Sequence, residues 1–266
     1  MSLNGHPEAR LDQLECLPRP VYGQAESLPN IALGYRHRHP WGQLSHARNG
    51  ILRVHTPQGL YLVPPQRAVW IAAQVPHRVV CEPSTCIRSL YIDPAALPWP
   101  ATACRVVVVE PLLGELIQAF SQLPVRYDAS GADGRLVQVL LDRLASAHEE
   151  QLLLPLPQDR QLRQICRRLQ TAPDDTRSLG DWALRLGVSE KTLSRRFLRE
   201  TGLTFRLWRQ RVRLLSALPA LERAERVTDV ALACGYASLS AFIAAFGEQF
   251  GQSPGEFLRR HTPSRT

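Results

Sequence analysis

The chain has 266 residues, 44% of them hydrophobic, which is enough for two cores of ordinary size. Its net charge of +8 is unevenly carried: residues 156–266 hold 19 Arg or Lys against 11 Asp or Glu, while residues 1–155 hold 13 against 13, and a basic excess confined to one end is the footprint of a polyanion binder. Cysteines at 16, 81, 86, 104, 166 and 234 show no C-x-x-C spacing, which argues against a zinc ribbon or a disulfide scaffold, and the absence of an apolar leader or of about 18 consecutive apolar residues reads as a cytoplasmic protein with no membrane association.

Residues 1–30 are polar and carry Pro7, Pro18, Pro20 and Pro29, the composition of an arm with little regular structure. From residue 31 to about 110 short β-prone runs follow one another, at 31–35, 42–47, 51–55, 60–63, 69–72, 77–81, 87–91 and 105–109. Their spacing predicts an antiparallel barrel or sandwich. Asn49-Gly50 is a hairpin signal, because both residues tolerate the positive φ of a tight turn, and Pro57-Gln58-Gly59 turns the next corner. Within this region His37 and His39 stand at i and i+2, which places them on one face of an extended strand. With Gln43 and His77 they could converge on a metal, line an effector pocket, or hydrogen-bond within the barrel. Trp41, Tyr61, Trp70 and Tyr91 could line an aromatic pocket or fill core.

Residues 111–122 and 134–153 switch to helical periodicity, with Leu112, Leu116, Ala119 and Phe120 in the first and Leu136, Leu140, Leu141, Leu144 and Ala147 in the second. Their apolar stripes must be covered by the barrel or by a second copy of the chain, so a homodimer is one of two solutions. Leu154-Pro155-Leu156-Pro157 then breaks the helix and marks a domain boundary.

Beyond it, residues 158–170 predict an amphipathic helix built on Leu162, Ile165, Cys166 and Leu169. Ser178 caps a short helix containing Leu179, Trp182, Ala183 and Leu186. Gly187 can end it in the left-handed conformation, and Ser189 caps a further helix over 190–200. This is the helix-turn-helix plan, whose second helix lies in the major groove. Leu193 and Phe197 should pack inward and Lys191, Ser194, Arg195 and Arg199 outward, with Thr192 and Arg196 suited to phosphate. A second such pattern has Thr228 capping a helix over 229–234, a turn at Gly235-Tyr236, and Ser238 opening a helix to about Phe250 with Phe242, Ile243, Phe246 and Phe250 on its apolar face. Two in tandem within a basic segment are far more specific than one.

The segment from about Leu179 to Arg260 closely resembles the DNA-binding domain of the AraC/XylS family. The resemblance is carried by Ala183-Leu184-Arg185-Leu186-Gly187-Val188-Ser189, Leu193-Ser194-Arg195-Arg196-Phe197, Val230-Ala231-Leu232-Ala233-Cys234-Gly235-Tyr236 and Phe250-Gly251-Gln252-Ser253-Pro254-Gly255-Glu256-Phe257. It implies seven helices, with two recognition helices joined by a connecting helix, here about 203–218, and entering successive major grooves. Two features depart from it. The outward positions of the second recognition helix are Ala241, Ala244, Ala245 and Glu248, so that helix is expected to position the protein through Ser238, Ser240 and Ala241 at its N-terminus rather than to read bases. Pro219 and Gly247 sit inside helical patterns, where they cost about 3 and 1 kcal/mol relative to alanine.

The segment from His37 to His77 resembles the two motifs of the cupin barrel, in which His-x-His, a carboxylate and a later histidine bind a divalent metal. Gln43 stands where the carboxylate is expected. The whole reads as an α+β multidomain protein: an arm over 1–30, a cupin-like sensor barrel over 31–110, a helical dimerisation or linker region over 111–154, and an AraC-type DNA-binding domain over 158–262. The expected function is sequence-specific regulation of transcription without catalysis. The expected partners are double-stranded DNA, a small-molecule effector, a second copy of the chain and, for an activator, RNA polymerase. One Zn, Ni or Fe ion at His37, His39, Gln43 and His77 is the cofactor the cupin resemblance implies. The rival reading, a cupin-type metalloenzyme with an attached helical domain, leaves the tandem helix-turn-helix and the localised charge unexplained.

Overall fold

The computed structural model describes residues 14–24, 35–81, 85–97, 99, 102–150 and 152–261. Its contacts divide the chain into two compact units, Met1–Arg48 with Pro65–Gln151, and Asn49–Pro64 with Leu152–Thr266. In chain order the strands are β1 (Val21–Tyr22), β2 (Gly42–Ala47), β3 (Leu52–His55), β4 (Gly59–Val63), β5 (Arg67–Ile71), β6 (Arg78–Val80), β7 (Ile87–Ile92), β8 (Arg105–Val108), β9 (Glu149–Glu150) and β10 (Leu153–Pro155). The helices are α1 (Pro111–Ser121), α2 (Ala132–Ala145), α3 (Arg160–Thr171), α4 (Leu179–Leu186), α5 (Glu190–Thr201), α6 (Phe205–Glu222), α7 (Val227–Ala233), α8 (Leu239–Phe250) and α9 (Pro254–His261). Strands β2 to β8 match the sequence runs to within two residues. The run at 31–35 lies outside the described residues apart from Tyr35.

The first unit is built on an antiparallel sheet of order β1-β7-β2-β5-β8-β9. Leu44 lies opposite both Leu90 and Trp70, and Gln43 opposite Tyr91 and Ile71. Because side chains alternate across a strand, the register divides the sheet into two chemically different faces. Leu44, Ala68, Trp70, Leu90, Ile92 and Val107 form a core with Leu113, Ile117 and Phe120 of α1 and Val137, Leu140, Leu141 and Leu144 of α2. Gln43, Ser45, Ser89 and Tyr91 take the other face. The helices thus bury their apolar stripes on the sheet, each side chain contributing about 1.5–3 kcal/mol. The stripe of α1 is rotated from the sequence reading, so that Leu113 and Ile117 are buried and Leu112 is 52% exposed.

Three expectations need correction. Val21–Tyr22 falls in the supposed arm yet pairs with β7, Val21 opposite Ile92, and Val21 is fully buried. Helix α2 ends at Ala145 rather than running to 153, because Glu149–Glu150 pairs with β8 and Glu150 takes the buried guanidinium of Arg67 in two hydrogen bonds of 2.9 and 2.7 Å. Asn49-Gly50 does not close a hairpin: β2 pairs with β5 and β7, and β3 with β4.

In the second unit β3 and β4 form the hairpin expected around Pro57-Gln58-Gly59, and β10 pairs with β4, Leu154 opposite Leu60. Segment 49–64, read from sequence as part of the sensor, therefore clusters with residues 152–266. Hydrogen bonds reinforce that grouping: Gln158 Nε2 donates to the Pro57 carbonyl at 3.2 Å and the Gly50 amide to Glu222 at 3.1 Å. At the centre lies α6, burying Phe205, Trp208, Val212, Leu214, Leu215, Ala217, Leu218 and Leu221. Trp208 Nε1 donates to the Pro155 carbonyl at 2.7 Å, so the connecting helix is pinned to β10. The helix continues through Pro219 to Glu222, four residues beyond the sequence boundary.

Candidate DNA-binding surface and histidine cluster

The first helix-turn-helix is fixed by local chemistry. Ser178 and Asp181 make a reciprocal capping box, with the Asp181 amide donating to Ser178 Oγ at 3.1 Å and the Ser178 amide to Asp181 Oδ2 at 2.7 Å. Gly187 takes φ 66° and ψ 30°, the left-handed geometry that ends α4. Ser189 Oγ then accepts from the Thr192 amide at 3.1 Å and opens α5. Leu193 and Phe197 are fully buried, and Phe197 meets Phe205 and Trp208 edge-on at 5.4 and 5.8 Å. Ser189, Lys191, Thr192, Ser194, Arg195 and Arg199 are exposed, as the sequence pattern requires. Arg196 has another partner: it donates to Asp159 at 2.6 Å and to Gln161 at 3.3 Å.

In the second unit of this plan α7 starts at Val227 after Arg226, and Thr228 lies inside the helix instead of capping it. Gly235 has φ 77°. The Tyr236 amide donates to Ala231 at 3.0 Å, as the Val188 amide does to Ala183 at 3.1 Å, so the two turns are built alike. The second is one residue longer before its cap, Ser238, whose Oγ accepts from the Ala241 amide at 3.2 Å. Phe242, Phe246 and Phe250 are buried; Ile243, assigned to that face from sequence, is 39% exposed. Ser238, Ser240, Ala241, Ala244 and Glu248 are exposed. Helix α6 touches both α5 and α8.

Part of the basic excess of this unit is spent inside it. Arg209, Arg211 and Arg213 of α6 donate to the carbonyls of Arg177, Leu153 and Pro173 at 2.9, 3.0 and 2.9 Å. Sequence charge alone did not separate these anchors from the exposed arginines. Leu184, 83% exposed, and Leu198, 48% exposed, also lie on the surface against the apolar pattern.

The histidines do come together. His37 bridges His77 in an isolated antiparallel pair, and one ring nitrogen from each of His37, His39 and His77 lies within 4.8 Å of the others. Each Nδ1 faces a backbone carbonyl: Tyr35 at 3.1 Å, Trp41 at 2.8 Å and Val75 at 2.8 Å respectively. Gln43 Oε1 lies 3.1 Å from His39 Nε2 and 2.8 Å from His77 Nε2. His37 Nε2 is buried without a hydrogen-bond partner among the described residues. His39 is stacked on Trp41 and meets Tyr91 edge-on, at 5.5 and 5.4 Å. Burial pushes His77 down to about 4 and lowers His39 as well, so both rings are neutral at physiological pH. Of the aromatic residues considered from sequence, Trp41 and Tyr91 are beside the histidines. Trp70 belongs to the core under α1 and α2, and Tyr61 lies on β4 of the second unit.

Residues 182–260 match the family model described as a helix-turn-helix domain. The HTH-type transcriptional regulator NimR of Escherichia coli is 36% identical over 228 residues, which cover 85% of this chain and 82% of NimR. The chain belongs to the AraC family of transcriptional regulators. HTH-type transcriptional regulator RipA of Corynebacterium glutamicum is 36% identical over 103 residues, covering 39% of this chain and 31% of RipA. Among solved structures, the C-terminal domain of AraT, a response regulator from Geobacillus stearothermophilus, is 25% identical over 40% of this chain and 90% of its own, with a TM-score of 0.38. As an AraC-family member the protein is a DNA-binding regulator of transcription and not an enzyme. Among the described residues no helix is long and apolar enough to cross a membrane.

Proposed function

We propose that this AraC-family protein reads its operator mainly with α5 and that a divalent metal and a small-molecule effector in the first unit set its occupancy of DNA. The observation that carries the DNA reading is the exposed row of Lys191, Ser194, Arg195 and Arg199 on a capped helix whose other face is fully buried. Arg195 and Ser194 suit base edges, while Lys191, Ser189, Thr192 and the helix N-terminus suit phosphate. Arg196, held by Asp159, serves to orient α5. Helix α8, with Ser238, Ser240 and Ala241 at its N-terminus, positions the protein on the backbone of the second groove.

The donor set at His37, His39, His77 and Gln43 fits a divalent ion. A neutral imidazole carries one N–H, and when each Nδ1–H donates to its carbonyl, the Nε2 lone pairs of His39 and His77 converge on the Gln43 oxygen. A cation among these lone pairs turns repulsion into ligation and also supplies a partner for His37 Nε2. A metal-bound histidine usually donates its other ring N–H to such a carbonyl, which fixes its tautomer and orientation. Zn, Ni and Fe all accept such nitrogen and oxygen donors, and a bound ion would supply a Lewis-acidic anchor for an effector.

Contact with RNA polymerase follows if the protein activates, and a homodimer would double the operator contacts. Covering α1 and α2 does not demand a dimer, since both helices are buried on the sheet. A chromosomal partner places the protein in the cytoplasm. Selection of bound sequences from a random DNA pool at near-physiological salt, repeated after chelation, tests the reading. A defined motif that weakens or changes on chelation supports it. Binding without any sequence preference in both conditions overturns the role given to α5.

A further inference from the structure

We propose that Gln43 makes the histidine cluster a receptor for small anions, by supplying a ligand oxygen that carries no charge. The inference rests on the reading of His37, His39 and His77 as metal ligands. No Asp, Glu or Cys joins the three histidines in that cluster among the described residues, and the fourth donor is an amide oxygen. A divalent ion held by three neutral imidazoles and an amide keeps its full double positive charge. In a site where His39 and His77 are 7% and 0% exposed, an uncompensated charge is costly, and an anion beside the ion would offset it. The ligand class is therefore a small oxygen- or nitrogen-donor anion, carboxylates foremost, in preference to a neutral molecule of the same shape.

Gln43 has the orientation this requires. Its amide nitrogen donates to Ser45 Oγ at 2.9 Å and reaches Ser89 Oγ at 3.5 Å, and the two hydroxyls hydrogen-bond each other at 3.0 Å. Ser45 and Ser89 lie directly opposite each other on β2 and β7, on the face that carries Gln43. The pair takes up the NH2 end and leaves the carbonyl oxygen for the histidine side. His37 is the half-buried member of the set.

Gln43→Glu keeps the shape and adds the missing charge, while Gln43→Asn keeps neutrality and withdraws the oxygen by one methylene. The full chain, loaded with Co(II), is titrated with sodium acetate and sodium azide, with acetamide as the neutral probe, following the visible Co(II) bands and metal affinity by calorimetry. The wild type should shift its bands with both anions and not with acetamide. Gln43→Glu should bind Co(II) about tenfold tighter or more and lose at least most of the anion response; Gln43→Asn should bind Co(II) more weakly and keep it. Anion responses equal in wild type and Gln43→Glu, or absent from a wild type that binds Co(II), overturn the inference and leave the metal reading intact. Failure of the wild type to bind Co(II), Ni(II) or Zn(II) any better than His77→Ala removes the metal reading itself. Circular dichroism of each variant accompanies the titrations, and a Gln43→Glu chain that does not fold leaves the decision to the wild-type anion response and Gln43→Asn.

Discussion

Arg196 of α5 donates to the Asp159 carboxylate at 2.6 Å, and the other oxygen of that carboxylate caps α3 by accepting from the Gln161 and Leu162 amides at 2.9 and 3.0 Å. One acidic side chain therefore fixes both the start of α3 and the roll of α5. Hydrogen bonding to the α3 amides and to Arg196 holds this carboxyl below the usual range, so the contact is ionic at neutral pH. Arg196→Ala should lower stability in urea unfolding by about 0.5–1 kcal/mol, the range of a partly exposed ion pair. The salt dependence of DNA binding should be unchanged, and a slope reduced by about one unit would reassign Arg196 to phosphate. Asp159→Ala should cost more, about 1–2 kcal/mol, because it removes the cap as well.

Arg195 and Lys191 are exposed on the same helix and make no ion pair among the described residues. Arg195→Ala should cost about 1–3 kcal/mol of specific binding and relax preference at one base pair, if its guanidinium spans a guanine edge. Lys191→Ala should weaken binding to all sequences alike and reduce the salt slope by about one. Competition binding with the selected operator and with mutated operators separates the two outcomes.

Helix α8 presents Ala241 and Ala244 where α5 presents charge, and Glu248 lies beyond them. In the proposed placement of α8 on the second groove, these small residues leave room beside the DNA backbone. Ala244→Arg should steepen the dependence of binding on salt by about one unit and raise affinity for operator and non-operator DNA together. If affinity and slope are unchanged, α8 does not lie against the DNA backbone.

The helix-turn-helix units were legible because short-range chemistry specifies them. Ser178, Gly187, Ser189 and Ser238 cap or turn within a few residues of themselves, and each behaves as its type dictates. Thr228 has the same chemistry, but α7 begins one residue before it, at Val227, so sequence could not tell a cap from a first-turn residue. The strands of the first unit were legible from alternation. Their partners were not, since pairing depends on contacts far apart in the chain: 49–64 joins residues 152–266, and Glu150 leaves the helical pattern to meet Arg67. The convergence of His37, His39 and His77 was anticipated, while Ser45 and Ser89, which orient Gln43, gave no sequence signal because serines facing one another across β2 and β7 share no spacing.

His46 lies on the opposite face of β2 from Gln43 and is 7% exposed. Burial, with help from the charge of Arg48, holds it down to about 4. An unfolded histidine titrates near 6.5, so between those values the unfolded chain binds the extra proton. Stability from this group is complete above about pH 6.5 and declines as pH falls towards 4. The decline amounts to about 3 kcal/mol, since each pH unit between the two values removes about 1.4 kcal/mol. His46→Leu should make the decline between pH 6.5 and 4 shallower, read from urea midpoints across that range, with the contribution of His77, also held down to about 4, remaining. An unchanged slope would place the acid sensitivity elsewhere.

The end of α6 carries a correctable strain. The Glu225 amide donates to the Ala220 carbonyl at 3.1 Å and the Ala224 amide to Leu221 at 2.9 Å, the hydrogen-bond pair that ends a helix through one left-handed residue. That residue is Ala224, with φ 58°, where a Cβ crowds its own backbone and costs about 1–2 kcal/mol. Glycine removes the clash and adds freedom to the unfolded chain worth about 0.5–1 kcal/mol in the other direction. Ala224→Gly should therefore stabilise the protein by about 0.5–1 kcal/mol, raising the urea midpoint at unchanged slope. The substitution lies outside α5 and α8, so DNA affinity should stay the same. A destabilised variant would mean that the Ala224 methyl contributes packing that outweighs the backbone strain.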